Sequence, residues 1–125
     1  MVENILHYYD LMLELIMELK LTISLGSLGA TDICNPSVEQ IIRSLKEVAT
    51  PDDSFIILSY SDKLFMQTDG YVIECQMGSL EQHYYLPSRF QSPYFAAQFF
   101  LSFADPHDDW WKKGARWEKG MDGGD

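Results

Sequence analysis

A chain of 125 residues is the size of one domain, and at 46% hydrophobic and 22% charged it carries too much apolar material for a disordered segment. Nineteen Asp and Glu against nine Lys and Arg leave a net charge of −10, which repels a phosphate backbone and argues against direct nucleic-acid binding. The same charge steers the chain toward a basic protein surface, such as the cleft of an enzyme that itself handles nucleic acid.

Along the first 17 residues, Ile5, Tyr8, Met12, Leu15 and Leu19 recur at spacings of three and four, with Asp10, Glu14 and Glu18 on another side. The spacing predicts an amphipathic helix whose apolar face packs on a core or pairs with a second chain as a homodimer. Met17 offers a second start, which would make residues 1–16 non-native; the chain stays acidic without them. A positive leader region is lacking and acids interrupt each apolar run, so the expectation is a cytoplasmic protein with no signal peptide or membrane span. Cys34 and Cys75 are then expected as buried free thiols rather than a disulfide.

Alternation over Glu18–Leu25 predicts a strand, with Leu19, Leu21, Ile23 and Leu25 on one side. Gly26 to Asp32 reads as loop. Asn35-Pro36-Ser37 reads as a helix start, Asn35 capping and Pro36 in the first turn, and Val38, Ile41, Ile42, Leu45 and Val48 continue at helical spacing until Pro51-Asp52-Asp53. Between Ser54 and Pro87 come four runs rich in aromatic and β-branched residues: Phe55–Tyr60, Leu64–Thr68, Tyr71–Gln76 and Gln82–Leu86. Ser61-Asp62-Lys63, a two-residue Asp69-Gly70 turn and Gly78-Ser79 separate them, which predicts an antiparallel meander. Ser92-Pro93 opens another helix, Tyr94–Ala104, with Phe95, Phe99 and Phe103 on one face as cover for the sheet.

The predicted whole is a single α+β domain over residues 1–125. An antiparallel β-meander packs against helices in the order α-β-α-β-β-β-β-α, followed by a Trp-rich C-terminal extension and a flexible tail over 120–125.

No nucleophile sits in a recognisable catalytic setting, and Cys75 shares its strand face with Ile73 as a buried structural thiol would. Asp105, His107, Asp108 and Asp109 match neither the calcium-loop nor the zinc-helix spacing and read as a solvated turn, so no metal or cofactor is expected. Glu74, a carboxylate in mid-strand, belongs on the outer face of the sheet. The functional reading joins it with Gln67, Gln82 and Tyr84 in a polar and aromatic recognition surface. Trp110, Trp111 and Trp117 are interleaved with Lys112, Lys113, Arg116 and Lys119, four of the nine bases in the chain. Such residues either seal the fold or anchor a partner; Trp117 is expected to be structural and Trp110 or Trp111 exposed.

The segment Asn35-Pro36-Ser37-Val38-Glu39-Gln40-Ile41-Ile42, the meander with Phe65-Met66-Gln67 and Tyr71-Val72-Ile73-Glu74, the second helix and the closing tryptophans together resemble small immunity proteins of bacterial polymorphic toxin systems. The layout is shared over Leu19 to Lys119. The branch in question is α+β, has a glutamate and tryptophans as characteristic residues, and is often paired with toxins of the nucleic-acid deaminase class. Glu74 and Trp117 match that pattern best, while the doubled Trp110-Trp111 departs from it. The resemblance implies a non-enzymatic protein that neutralises a basic toxin domain by occluding its active surface. A small enzyme or ligand-binding domain around His83, Glu74 and Tyr84, and a homo-oligomeric module built on the N-terminal helix, are the alternatives.

Overall fold

The computed structural model describes residues 18–48, 53–86 and 92–120. The helix predicted over residues 1–17, its oligomerising role, and the tail beyond Gly120 lie outside them. Seven strands are present: β1 (Lys20–Leu25), β2 (Ala30–Cys34), β3 (Ser54–Ser61), β4 (Leu64–Thr68), β5 (Ile73–Met77), β6 (His83–Tyr85) and β7 (Glu118–Lys119). All pair antiparallel in one sheet of order β2-β1-β3-β4-β5-β6-β7. Three helices, α1 (Val38–Val48), α2 (Pro93–Ala104) and α3 (Trp110–Lys113), complete the α+β architecture.

The meander from β3 to β6 stands as the sequence predicts, and two further strands extend the sheet at its edges. Strand β2 replaces the predicted Gly26–Asp32 loop. Gly26 (φ 63°) and Gly29 (φ 90°) take left-handed conformations, which glycine enters without a Cβ clash, and the Leu25 N–H bonds the Gly29 carbonyl at 3.2 Å. The chain thereby reverses early enough for Ala30–Cys34 to pair with β1. The connection between β4 and β5 is also longer than the predicted two residues. Thr68 pairs directly with Ile73, leaving a four-residue loop whose shape is set by Asp69, since its carboxylate accepts from the N–H groups of Tyr71 and Val72 at 2.9 and 3.2 Å.

Helix α1 starts two residues later than the Asn-Pro signal suggests. Asn35 does not cap it: with φ at 50°, it sits in the left-handed region that Asn tolerates and turns the chain out of β2. Ser37 is the cap instead. Its hydroxyl accepts from the Gln40 N–H at 3.1 Å while the Gln40 side chain accepts from the Ser37 N–H at 2.8 Å, a reciprocal capping box. At α2, by contrast, Ser92 caps as predicted, accepting from the Phe95 N–H at 3.1 Å, with Pro93 in the first turn. The far end of α2 is held by Tyr60, whose hydroxyl donates to the carbonyls of Phe103 and Ala104 at 2.9 and 2.8 Å, meeting two acceptors that a helix terminus leaves open.

The registers assign each side chain to a face. Ile33, Leu21, Leu58, Met66, Cys75, Tyr84 and Lys119 form one continuous row across all seven strands, flanked by Ile23, Ile56, Thr68 and Ile73. Most of these are buried in a single cluster with Ile41, Leu45 and Val48 of α1, Ala96, Phe99, Phe100 and Phe103 of α2, and Trp111 of α3. Among the described residues, all three helices therefore contribute to the core on this one face of the sheet. No helix among them is long and apolar enough to cross a membrane.

Candidate functional site

The opposite face of the sheet carries a second row, one residue out of phase: Asp32, Thr22, Ile57, Gln67, Glu74, Tyr85 and Glu118, one from each strand. At the usual strand separation the row spans roughly 29 Å. Its polar members are tied in pairs. The Thr22 hydroxyl donates to Asp32 at 2.7 Å, the Gln67 amide to Glu74 at 3.1 Å, and the Tyr85 hydroxyl to Glu118 at 2.8 Å. Three carboxylates thus stand on one line with no base in it.

A parallel row, Cys34, Lys20, Ser59, Phe65, Gln76 and His83, lies beside it. His83 links the two rows: its Nε2 lies 3.1 Å from Glu74 Oε1, its Nδ1 3.4 Å from Gln76 Oε1, and the Phe65 ring meets the imidazole edge-on at 6.3 Å. With oxygens on both ring nitrogens, the arrangement suits a ring that donates to each; rotation of the Gln76 amide would suit a ring that donates to Glu74 alone. Glu74 consequently accepts from Gln67 and meets His83 through different oxygens, which fixes its orientation toward solvent. A groove of about 490 Å³ opens beside these rows over Lys20, Thr22, Ile57 and Phe65, and neither His83 nor Glu74 lines it.

The surface predicted from sequence is only half assembled. Gln67 and Glu74 are brought together. Tyr84 is not with them: it pairs with Cys75, so its side chain lies on the helix-covered face and packs against the core, and Tyr85 takes the place beside Glu74. Gln82 is also displaced, exposed in a short 3-10 turn (Leu80–Gln82) ahead of β6 rather than in the strand. Tyr85 and Glu118 were missed. Tyr85 shares the alternation of His83, a usable signal, whereas Glu118 stands in a two-residue strand that no periodicity marks.

The tryptophans form a cluster of their own on the helix side. Of the two tryptophans expected to offer an exposed ring, Trp111 is the buried one, at 6%, and its backbone N–H donates to the buried Ser102 hydroxyl at 3.0 Å. Its ring meets Phe103 and Trp117 edge to face, with centroids at 5.2 and 6.3 Å. Trp117 is half-buried and donates its indole N–H to the Trp111 carbonyl at 2.7 Å. Trp110 is the exposed one, at 39%, stacked on Phe99 with centroids 5.0 Å apart.

Of the two thiols, only Cys75 is buried; Cys34 is exposed, because β2 is an edge strand and its side chain points to the open face. Burial pushes the Cys75 thiol up to about 12, with Lys112 pulling it down and Glu74 adding to the rise. The acids after α2 serve the backbone. Asp105 accepts from the His107 N–H at 3.0 Å, Asp108 from the Trp110 N–H at 2.9 Å, and Asp109 pairs with Lys113 at 3.1 Å. Among the described residues no group of three or more His, Cys, Asp or Glu is placed to hold a metal ion. No family model, curated protein or solved structure matches the chain.

Proposed function

We propose that the chain is a binding protein that neutralises a basic protein partner by seating it on the open face of the sheet and occluding its active surface. The observation that carries this reading is the carboxylate row, Asp32, Glu74 and Glu118, laid across the face opposite the one on which the described helices pack. Ordered acids on a rigid sheet cost little to organise on binding, and a net charge of −10 speeds encounter with a cationic surface. The half-buried Ile57 and Phe65 beside the row supply apolar contact, as the centre of an interface needs.

The resemblance to small immunity proteins gives the partner its class: a toxin domain with a basic, nucleic-acid-directed cleft, met in the cytoplasm of the cell that makes both. Glu74, which matches the family's characteristic glutamate, is the second of the three carboxylates along the row. Trp110, Trp111 and Trp117 stand on the helix side, away from this face, and Trp111 and Trp117 support the fold.

Co-expression with the toxin-like product of a neighbouring gene, followed by affinity capture, tests the proposal. A one-to-one complex is expected, weakened at least tenfold by the double substitution Glu74→Gln and Glu118→Gln and weakened further by added salt. Capture that is indifferent to both substitutions and salt, or no capture at all, would overturn it.

A further inference from the structure

On the helix side, beyond the reach of α1, the sheet and the tryptophan turn leave a second feature: a pocket of about 250 Å³ lined by Cys75, Met77, Tyr84, Trp111, Lys112 and Trp117. The geometry points to a binding site here for a small aromatic carboxylate, its ring inserted between Trp111, Trp117 and the two sulfur side chains and its carboxylate held at the rim by the Lys112 ammonium. This site is separate from the open sheet face and does not depend on the partner proposed for that face.

The walls select an aromatic ring. Cys75 and Trp111 are almost fully buried, and Met77, Tyr84 and Trp117 partly so. The Trp117 N–H is already committed to the Trp111 carbonyl, so that indole offers its ring and no free donor. The pocket opens to solvent and its walls are almost wholly apolar, so water resting against them is weakly held. Replacing weakly held water with a ring is favourable, and aromatic edges and thioether sulfur are suited to contact a π-system. The size fits one ring or a fused pair and falls below that of common cofactor pockets.

The rim selects the charge. Lys112 is the one charged residue among the lining residues, and its Nζ sits 5.4 Å from the centre of the Trp111 ring, over the wall. Its field reaches the floor, where it lowers the otherwise raised Cys75 thiol. Lys113 next to Lys112 is already paired with Asp109 at 3.1 Å, so the charge the rim offers is that of Lys112, on a chain of net charge −10. An anion is repelled by most of this molecule and attracted here, whereas an organic cation of the same shape meets Lys112 and is disfavoured.

The probe is 2-naphthoate, titrated by calorimetry and by proton–nitrogen NMR of the tryptophan indoles, beside 2-naphthalenemethanol and 2-naphthylmethylamine. Naphthoate is expected to bind in 1:1 ratio at sub-millimolar concentration, shifting the Trp111 and Trp117 indole signals, with the amine at least tenfold weaker. Lys112→Glu, on an exposed side chain, should weaken naphthoate at least tenfold and leave the alcohol within twofold. Met77→Trp, which fills the pocket, should abolish binding of both in protein whose circular dichroism is unchanged. Absence of indole shifts at millimolar naphthoate, equal binding of acid and amine, or indifference to Lys112→Glu would each overturn the site.

Discussion

The two faces of the sheet use similar chemistry to opposite ends. On the open face, aromatic and carboxylate groups stand in a row, each polar group paired with a cross-strand neighbour and still reachable by solvent. On the helix face, aromatic groups pack against one another and their polar atoms are spent on the backbone: the Tyr60 hydroxyl on the end of α2 and the Trp117 indole on the Trp111 carbonyl. A tyrosine one residue further along β6 changes from one role to the other, since Tyr84 packs inward and Tyr85 bonds Glu118. Residue type alone does not divide recognition from structure here; strand phase does.

If that division is right, substitutions on the two faces should separate cleanly. The largest effect is expected at Trp111. Replacing it with Ala removes a buried ring from contact with Phe103 and Trp117 and should cost about 3–5 kcal/mol of stability, read from urea denaturation. A loss below about 1 kcal/mol would mean the ring is not part of the core.

Alkaline pH should act on the helix face next. The unfolded Cys75 thiol ionises near its ordinary value of 9.0, whereas the folded chain keeps the proton until about 12. Folding stability from this group is complete below pH 9 and is lost as pH rises through 12. The Tyr60 hydroxyl, raised by burial and then by the charge of Asp105, works in the same direction. Melting temperature should therefore fall steadily above pH 9, and at pH 8 a thiol reagent should modify the exposed Cys34 at once and Cys75 only on unfolding.

A smaller effect is expected from Gly114→Ala. The backbone there is ordinary, but an added Cβ would lie 2.5 to 2.8 Å from the Trp110 ring, so the ring must move off its seat on Phe99. A cost of about 1–2 kcal/mol with a red-shifted tryptophan emission would follow, because Trp110 is already part-exposed and can swing outward. Glu74→Gln should be the mildest for stability, within about 1 kcal/mol, since it alters a solvent-reachable pair on the open face.

Much of the architecture was legible because it rests on local chemistry. Ser92-Pro93 and the apolar periods of α1 and α2 identify helices without reference to anything distant, and the β3 to β6 meander announces itself through its turns. What escaped depended on pairing. Strand β2 is an edge with Ile33 as its one large apolar residue and β7 has two residues, so neither carries a hydrophobic alternation strong enough to read; β7 pairs with β6 at the opposite edge. Alternation likewise separates Tyr84 from Tyr85 but does not say which of them faces Glu74. That is decided by the Gly78–Gln82 connection, whose 3-10 turn sets the offset between β5 and β6. For the tryptophan pair, adjacent helical residues point about 100° apart, so one must turn outward. Trp111 is the one that meets Phe103 and Trp117 in the interior, and the Ser102 hydroxyl, nine residues away, holds its backbone amide.

The two residues of β7 connect these opposed surfaces. Glu118 ends the acidic row, Lys119 ends the helix-side row, and the amide of Gly120 fastens the strand to the His83 carbonyl at 2.7 Å. Just before it, the Trp117 indole is clasped to the Trp111 backbone. Loosening that clasp would withdraw a carboxylate from one side of the sheet while opening the aromatic pocket on the other. The last strand thus behaves as a common latch, and the exchange rate of its few amide protons would report on the readiness of both surfaces at once.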